Sequence, residues 1–199
     1  MKRIVLSEGK RDVFLVEQFF ERIGRNVEID TFHASEVAKG EVKGQETRKI
    51  QNFMERRNPY DLLVKSEGGK PDLKRIFTKL IRSLSAREMG FVLLIDLDNR
   101  PLSALFDELN QKVRGNYDGN EYGIEMTEKI GEDTDIIAAE ALFFAVDDST
   151  TSSFDVLAFK KDLEHAAGIP SPDDTDEERI NELLTEYSSV RRQMKAVLL

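Results

Sequence analysis

Residues 91–98 read Phe-Val-Leu-Leu-Ile-Asp-Leu-Asp (FVLLIDLD), five apolar side chains in a row followed by Asp96 and Asp98 one residue apart. So short an apolar run predicts a strand buried on both faces, as in a parallel sheet. Ligands of such sheets bind outside the carboxyl ends of the strands, which is where the charged end of this run emerges. On a strand over Phe91–Asp98 the two carboxylates project from one face, because side chains alternate with period two. They repel each other and favour a cation between them, and oxygen-only ligands suit Mg²⁺ or Mn²⁺. The pair alone leaves open metal phosphatases, sugar-nucleotide transferases and phosphodiester enzymes, or a plain strand end. The phosphatase pattern has Thr or Val two residues after the second Asp, near the N-terminus; here Arg100 stands there, mid-chain. Nothing beyond the pair itself supports sugar-nucleotide transfer.

Upstream, Arg3–Ser7 (RIVLS) predicts the first strand, and Glu8-Gly9 breaks it. If that strand neighbours FVLLIDLD in a parallel sheet, Glu8 joins Asp96 and Asp98 on one edge. Three carboxylates there hold one or two Mg²⁺ ions, or two hold metal while the third handles protons. Read alone, Glu8 is equally an ordinary strand-to-helix residue or a helix cap. Gly9 lets a phosphate approach the backbone, and a helix beginning near Arg11 offers free N–H groups to an anion. No GxxxxGK[ST] occurs, so this is not a P-loop.

Between and around these landmarks the pattern alternates strand with helix, which predicts an α/β fold with a mostly parallel sheet. Helices are expected over Arg11–Ile23, Glu46–Arg57, Pro71–Leu84 and from Pro101 to about Val113, each on an apolar stripe. Val27–Phe32 and Tyr60–Lys65 are further strands, and Ser66–Lys70 is a tight turn. Gly40 and Gly44 mark a loop, as do residues Gly115–Gly123. Tyr122–Ile130 and Thr134–Val146 fit a hairpin, while the alanines of IIAAEALFFA also permit a helix; periodicity leaves both open. Ser152-Ser153 is expected to cap a helix running to about Ala167, with a break at Gly168–Pro172. A last helix is expected from about Asp176 to Val197, its stripe (Ile180, Leu183, Tyr187, Val190, Met194, Val197) packing on the domain or on a second copy. The expected division is a catalytic domain over 1–150 and a C-terminal helical extension over 151–199.

Composition narrows the function. At 199 residues with 40% hydrophobic and 34% charged residues the chain is typical of a soluble globular protein. Met1-Lys2-Arg3 runs straight into a strand pattern without a signal peptide, and no apolar run approaches membrane-spanning length, so no membrane partner is expected. Zero cysteines exclude disulfides, thiolate zinc sites and thiol catalysis, and suggest a cytoplasmic address. His33 and His165 are too few for a His-rich metal site or a Ser-His-Asp triad. The net charge of −9 hides an asymmetry: Lys39–Arg87 holds 13 Lys/Arg against 6 Asp/Glu, whereas Asp107–Tyr187 holds 6 against 22. A basic third beside an acidic half steers polyanions.

Ser7-Glu8-Gly9-Lys10, a helix, and then IDLD with Asp96 and Asp98 resemble the Toprim domain, shared by topoisomerases, bacterial-type primases, overcoming-lysogenization-defect nucleases and small ribosomal-RNA maturases. Gly68-Gly69-Lys70 resembles the GGK turn of small stand-alone Toprim-like proteins. The resemblance covers about Arg3–Val113 and rests on order and spacing. It implies a Toprim-like Rossmann-type sheet flanked by helices, with Glu8 as general acid/base and Asp96 and Asp98 as Mg²⁺ ligands. The chain departs from the family at Asn99-Arg100-Pro101, where many members have a small residue. It also has a long Glu8–Asp96 interval with an insertion near residues 40–57. It has no tyrosine-bearing breakage domain or zinc module, so topoisomerase or complete primase activity is not expected.

Lys39, Lys43, Arg48, Lys49, Arg56 and Arg57 in the insertion either track a phosphate backbone, DNA or RNA, or form a solvated helix face. Lys10, Lys70 and Arg100 fall nearest the expected site and suit charge stabilisation on a phosphoryl group. The leading expectation is a Mg²⁺-dependent nuclease. The alternatives are a non-catalytic nucleic-acid or nucleotide-binding module, and a phosphatase or phosphotransferase of small esters.

Overall fold

The computed structural model describes residues 2–38, 41–55, 57–85, 89–117, 121–146, 151–170, 177–185 and 188–199. The strands are β1 (Arg3–Ser7), β2 (Ile29–His33), β3 (Leu62–Ser66), β4 (Gly90–Asp96), β5 (Tyr122–Glu132), β6 (Ile136–Ala145) and β7 (Thr151–Phe159). The helices are α1 (Lys10–Arg22), α2 (Val42–Met54), α3 (Lys70–Ser85), α4 (Leu102–Asn116), α5 (Leu163–Ala167), α6 (Glu177–Leu183) and α7 (Ser189–Leu198). One sheet runs β2-β3-β1-β4-β7-β6-β5, parallel from β2 to β7 and antiparallel in the last two pairings. The chain is therefore α/β, with a mostly parallel sheet flanked by helices.

The central strands are apolar on both faces, and alternation sends neighbours to opposite layers. Ile4, Leu6, Leu63, Leu93 and Ile95 face α3, α4 and the Ile50–Phe53 side of α2. Val5, Val64, Val92 and Leu94 face α1 and the C-terminal helices. Parallel crossovers are right-handed. The step from β1 out to β2 thus puts α1 on one face, and the returning steps put α2, α3 and α4 on the other. β1 and β4 lie side by side, yet the chain leaves them in opposite directions. The crevice between their carboxyl ends is the switch point where such sheets take ligands.

Several expectations are corrected. The open question at residues 122–146 resolves as a hairpin, β5 against β6. Ser152–Phe159 is strand β7, not helix: Phe154, Val156 and Ala158 fill one layer while Leu157 and Phe159 fill the other. A strand buried on both faces loses the alternation that distinguishes it from a buried helix. β7 pairs with β4, so the sheet extends past the expected boundary at 150, and only the short α5 remains of the expected Ser152–Ala167 helix. The last expected helix is two, α6 and α7, with Ser188 at the start of the second; Asp176 and Tyr187 lie outside the described residues. Val190, Met194 and Val197 are buried in the α1-side layer, so that stripe is used within the molecule. Helix α2 begins at Val42 and contains Gly44, although a helical Gly costs about 1 kcal/mol relative to Ala. Burial of the apolar Ile50 and Phe53 outweighs that cost. Among the described residues no helix is long and apolar enough to cross a membrane.

Candidate active site at the β1–β4 crevice

Glu8 follows β1 and is fixed at three points. Its amide N–H donates to Asp12 Oδ2 at 3.0 Å, and its carbonyl accepts from the N–H groups of Gly68 (2.9 Å) and Gly69 (3.0 Å). Its side-chain Oε1 accepts the Asp96 N–H at 2.8 Å. Bringing two successive N–H groups onto one carbonyl needs φ of +80° at Gly68 and +139° at Gly69, a region open to glycine and strained for other residues. The turn delivers Lys70 to the start of α3, with Nζ 2.5 Å from Asp98 Oδ2 and 3.8 Å from Glu8 Oε1. A Cβ added at Gly9 would meet nothing within 4 Å, so the backbone there is open to an approaching ligand.

Asp96 ends β4 and continues the Val92–Leu94 face toward α1. Asp98 does not share that face, contrary to the reading of 91–98 as one strand. Asp98 and Asn99 take φ of +51° and +62°, a left-handed turn that these two residue types tolerate. Leu97 N–H donates to Phe159 at 2.8 Å and Asp98 N–H to Lys161 at 3.0 Å, so the end of β7 bends the chain out of the sheet. Asp96 and Asp98 still line one notch, together with Lys70, Lys74 and Arg100.

The other side of Asp96 opens on a cleft of about 410 Å³ whose walls include Glu8, Gly9, Asp12, Gly69 and Glu164. Burial first, and then the carboxylates of Asp12 and Glu8, push the Asp96 carboxyl up to about 9 against the offset from Lys70. Asp12 also rises, through burial first and then Glu8 and Glu164, against the two amides it accepts. Glu8 is raised by burial. Asp96 Oδ1 is buried without a hydrogen-bond partner. Asp12 and Glu164 were not anticipated from the sequence. Asp12 had a local signal, three residues after Gly9 at the start of a helix, where an acid reaches back to the preceding amides. Glu164 had none, since only the fold brings it within 2.6 Å of Arg11.

The remaining expected residues are dispersed. Lys10 pairs with Glu36 at 2.5 Å, on the rim of the crevice. Arg100 pairs with Glu108 at 2.5 Å. In the basic segment Lys49 pairs with Asp30 and Arg57 with Glu55, Lys43 and Arg48 are exposed, and Lys39 and Arg56 lie outside the described residues. His33 contacts Ser66 Oγ at 2.9 Å.

Among the described residues no three His, Cys, Asp or Glu side chains are grouped as a ready-made ion cage. The donors at the crevice are nevertheless all carboxylate oxygens, one of them buried and unpartnered, and the Lys70 ammonium lies between Glu8 and Asp98. That donor set fits a hard divalent cation. Compared with known proteins, the chain matches no family model and no curated sequence. A similar solved structure is the solution NMR structure of a de novo designed protein with a P-loop NTPase fold. It is 20% identical over 58% of this chain and 75% of the designed one, with a TM-score of 0.33, too low to carry any argument.

Proposed function

We propose that this protein performs Mg²⁺- or Mn²⁺-dependent phosphodiester chemistry on nucleic acid, as a nuclease of the Toprim type. The observation that carries the reading is the 2.8 Å hydrogen bond from Asp96 N–H to Glu8 Oε1 across the switch-point crevice. It sets an acid raised by burial beside two carboxylates at a sheet edge open to ligands. Asp96 and Asp98 would hold the metal, which when bound polarises the scissile phosphate. Glu8 takes or returns the proton of the attacking or leaving oxygen, a role that a raised carboxyl pKa suits near neutral pH. Lys70 offers its ammonium to a phosphoryl oxygen. The absence of cysteine is in keeping with a cytoplasmic address.

The test is cleavage of labelled DNA and RNA with Mg²⁺ or Mn²⁺. Glu8→Gln and Asp96→Asn are each expected to lower the rate by at least about 10²-fold, the usual scale for acid–base catalysis. Undiminished cleavage by both folded variants would remove the proposal. The seating of Lys70 between Glu8 and Asp98 favours a second reading, a non-catalytic nucleic-acid-binding module whose acids are neutralised internally. That reading expects salt-sensitive binding on filters and no turnover with any metal.

A further inference from the structure

We propose that Lys74, Arg100 and Glu108 form a subsite for the nucleic-acid phosphate next to the scissile one, with Glu108 holding its place until a strand displaces it. The proposal rests on the nucleic-acid reading above and adds to it where the substrate lies. Glu108 on α4 receives Lys74 Nζ on Oε2 and Arg100 Nη2 on Oε1, the latter at 2.5 Å. One carboxylate bridging an ammonium and a guanidinium makes the contacts that two oxygens of a phosphate would make. Lys74 is only 8% exposed, and its ammonium pairs with Glu108 alone among the described residues.

Two further observations tie this trio to the crevice. Lys74 and Arg100 line the same notch as Lys70, Asp96 and Asp98, and the charge of Lys74 acts on Glu8. Lys70 and Lys74 stand about one turn apart on α3, about 6 Å along its axis. That step is comparable with the one between neighbouring phosphates of an extended strand. A phosphate on Lys70 therefore leaves its neighbour at Lys74 and Arg100. A simple brace between α3 and α4 would need only the Lys74 contact. Arg100, whose side chain is 51% exposed, is instead available to an incoming anion once Glu108 releases it.

The experiment titrates full-length protein into short fluorescein-labelled single strands of DNA and RNA, across a salt series in EDTA so that nothing is cleaved. Glu108→Gln is expected to bind about three- to tenfold tighter, with a log–log salt slope steeper by about one, because a cation is freed for phosphate. Arg100→Gln should weaken binding and flatten the slope, and the double variant should lose the gain. Unchanged or weaker binding by folded Glu108→Gln overturns the proposal, as does the absence of binding by both wild type and variant. If Glu108→Gln does not fold, Arg100→Gln decides, and an unchanged affinity and slope overturns it. A parallel cleavage assay in Mg²⁺ separates the two readings. Tighter binding without cleavage by any form removes the nuclease and keeps the subsite. Cleavage with no effect of Glu108→Gln on binding does the opposite.

Discussion

The Asp96 carboxyl has burial, Asp12 and Glu8 against its ionisation and Lys70 in its favour, and it titrates near 9 instead of the usual Asp range. The folded chain therefore keeps a proton at Asp96 that the unfolded chain releases above about pH 4. Because the native state binds more protons over that interval, stability falls as pH rises from about 4 toward 9. Asp96→Asn carries no charge and presents an amide donor to neighbouring carboxylates, so it removes this cost. It is expected to exceed the wild type in stability by at least about 1 kcal/mol near pH 8, with the difference shrinking toward about pH 5. Urea unfolding at the two pH values measures this. Parallel pH dependence in both proteins would show that Asp96 is not held neutral by the fold. A substitution that stabilises while abolishing activity is the usual sign of a site whose function demands unfavourable charge. At this scale the sequence pointed to Glu8 and Asp96 at the crevice but not to Asp12 and Glu164 beside them. Glu8, Asp96 and Lys70 each announce themselves by position after a strand or a glycine turn, whereas Glu164 becomes a neighbour only through the fold.

Among the elements, those that announce themselves in sequence bury one stripe or a short uninterrupted run: β1, β4, α1, α3 and α4. Those that do not are decided by distant partners. In α2, Glu46 reaches Lys65 of β3 at 2.6 Å, and Glu67 just beyond β3 pairs with the same ammonium. Lys65 is fully buried, with the Phe32 ring 5.6 Å from its Nζ. A lysine inside YDLLVK gave no sign of this, since in sequence it reads as a strand end. Burial raises the Glu67 carboxyl to about 7 even with Lys65 beside it. Lys65→Met would leave two buried carboxyls without their cation, a loss of about 3–5 kcal/mol for a broken buried pair. The loss should be smaller near pH 5 than near pH 8, because the Glu67 carboxyl, raised to about 7 even with its cation, is neutralised by protonation in acid. Denaturant midpoints of the variant at both pH values test the sign. Equal losses at both would mean that the triad contributes packing and not charge. Glu67 also donates its N–H to the Ser7 carbonyl and leads into the Gly68–Gly69 turn that clasps Glu8, so α2 and the crevice share one support.

For the whole molecule, a parallel run from β2 to β7 sends the carboxyl ends of these five strands to one edge, and the crevice there gathers Glu8, Asp12, Asp96 and Glu164. A net charge of −9 adds a diffuse repulsion to this local one. A cation that binds only the folded chain must then raise its melting temperature by mass action. At a free concentration about a hundredfold above the dissociation constant the gain is about 2.7 kcal/mol, or roughly 5–10 °C for a chain of this size. Monovalent salt also relieves diffuse repulsion, so Mg²⁺ must be compared with KCl at matched ionic strength. The shift specific to Mg²⁺ is expected in the wild type and in Glu128→Gln on the exposed part of β5, and is expected to vanish when Asp96 and Asp98 are both changed to Asn. Protons compete with the metal for Asp96, so the shift should grow between about pH 6 and about pH 8. Differential scanning fluorimetry reads all three. A wild-type shift no larger than that of KCl would take Mg²⁺ out of the proposed chemistry, whereas a shift that survives loss of both aspartates would move the metal to another part of the molecule.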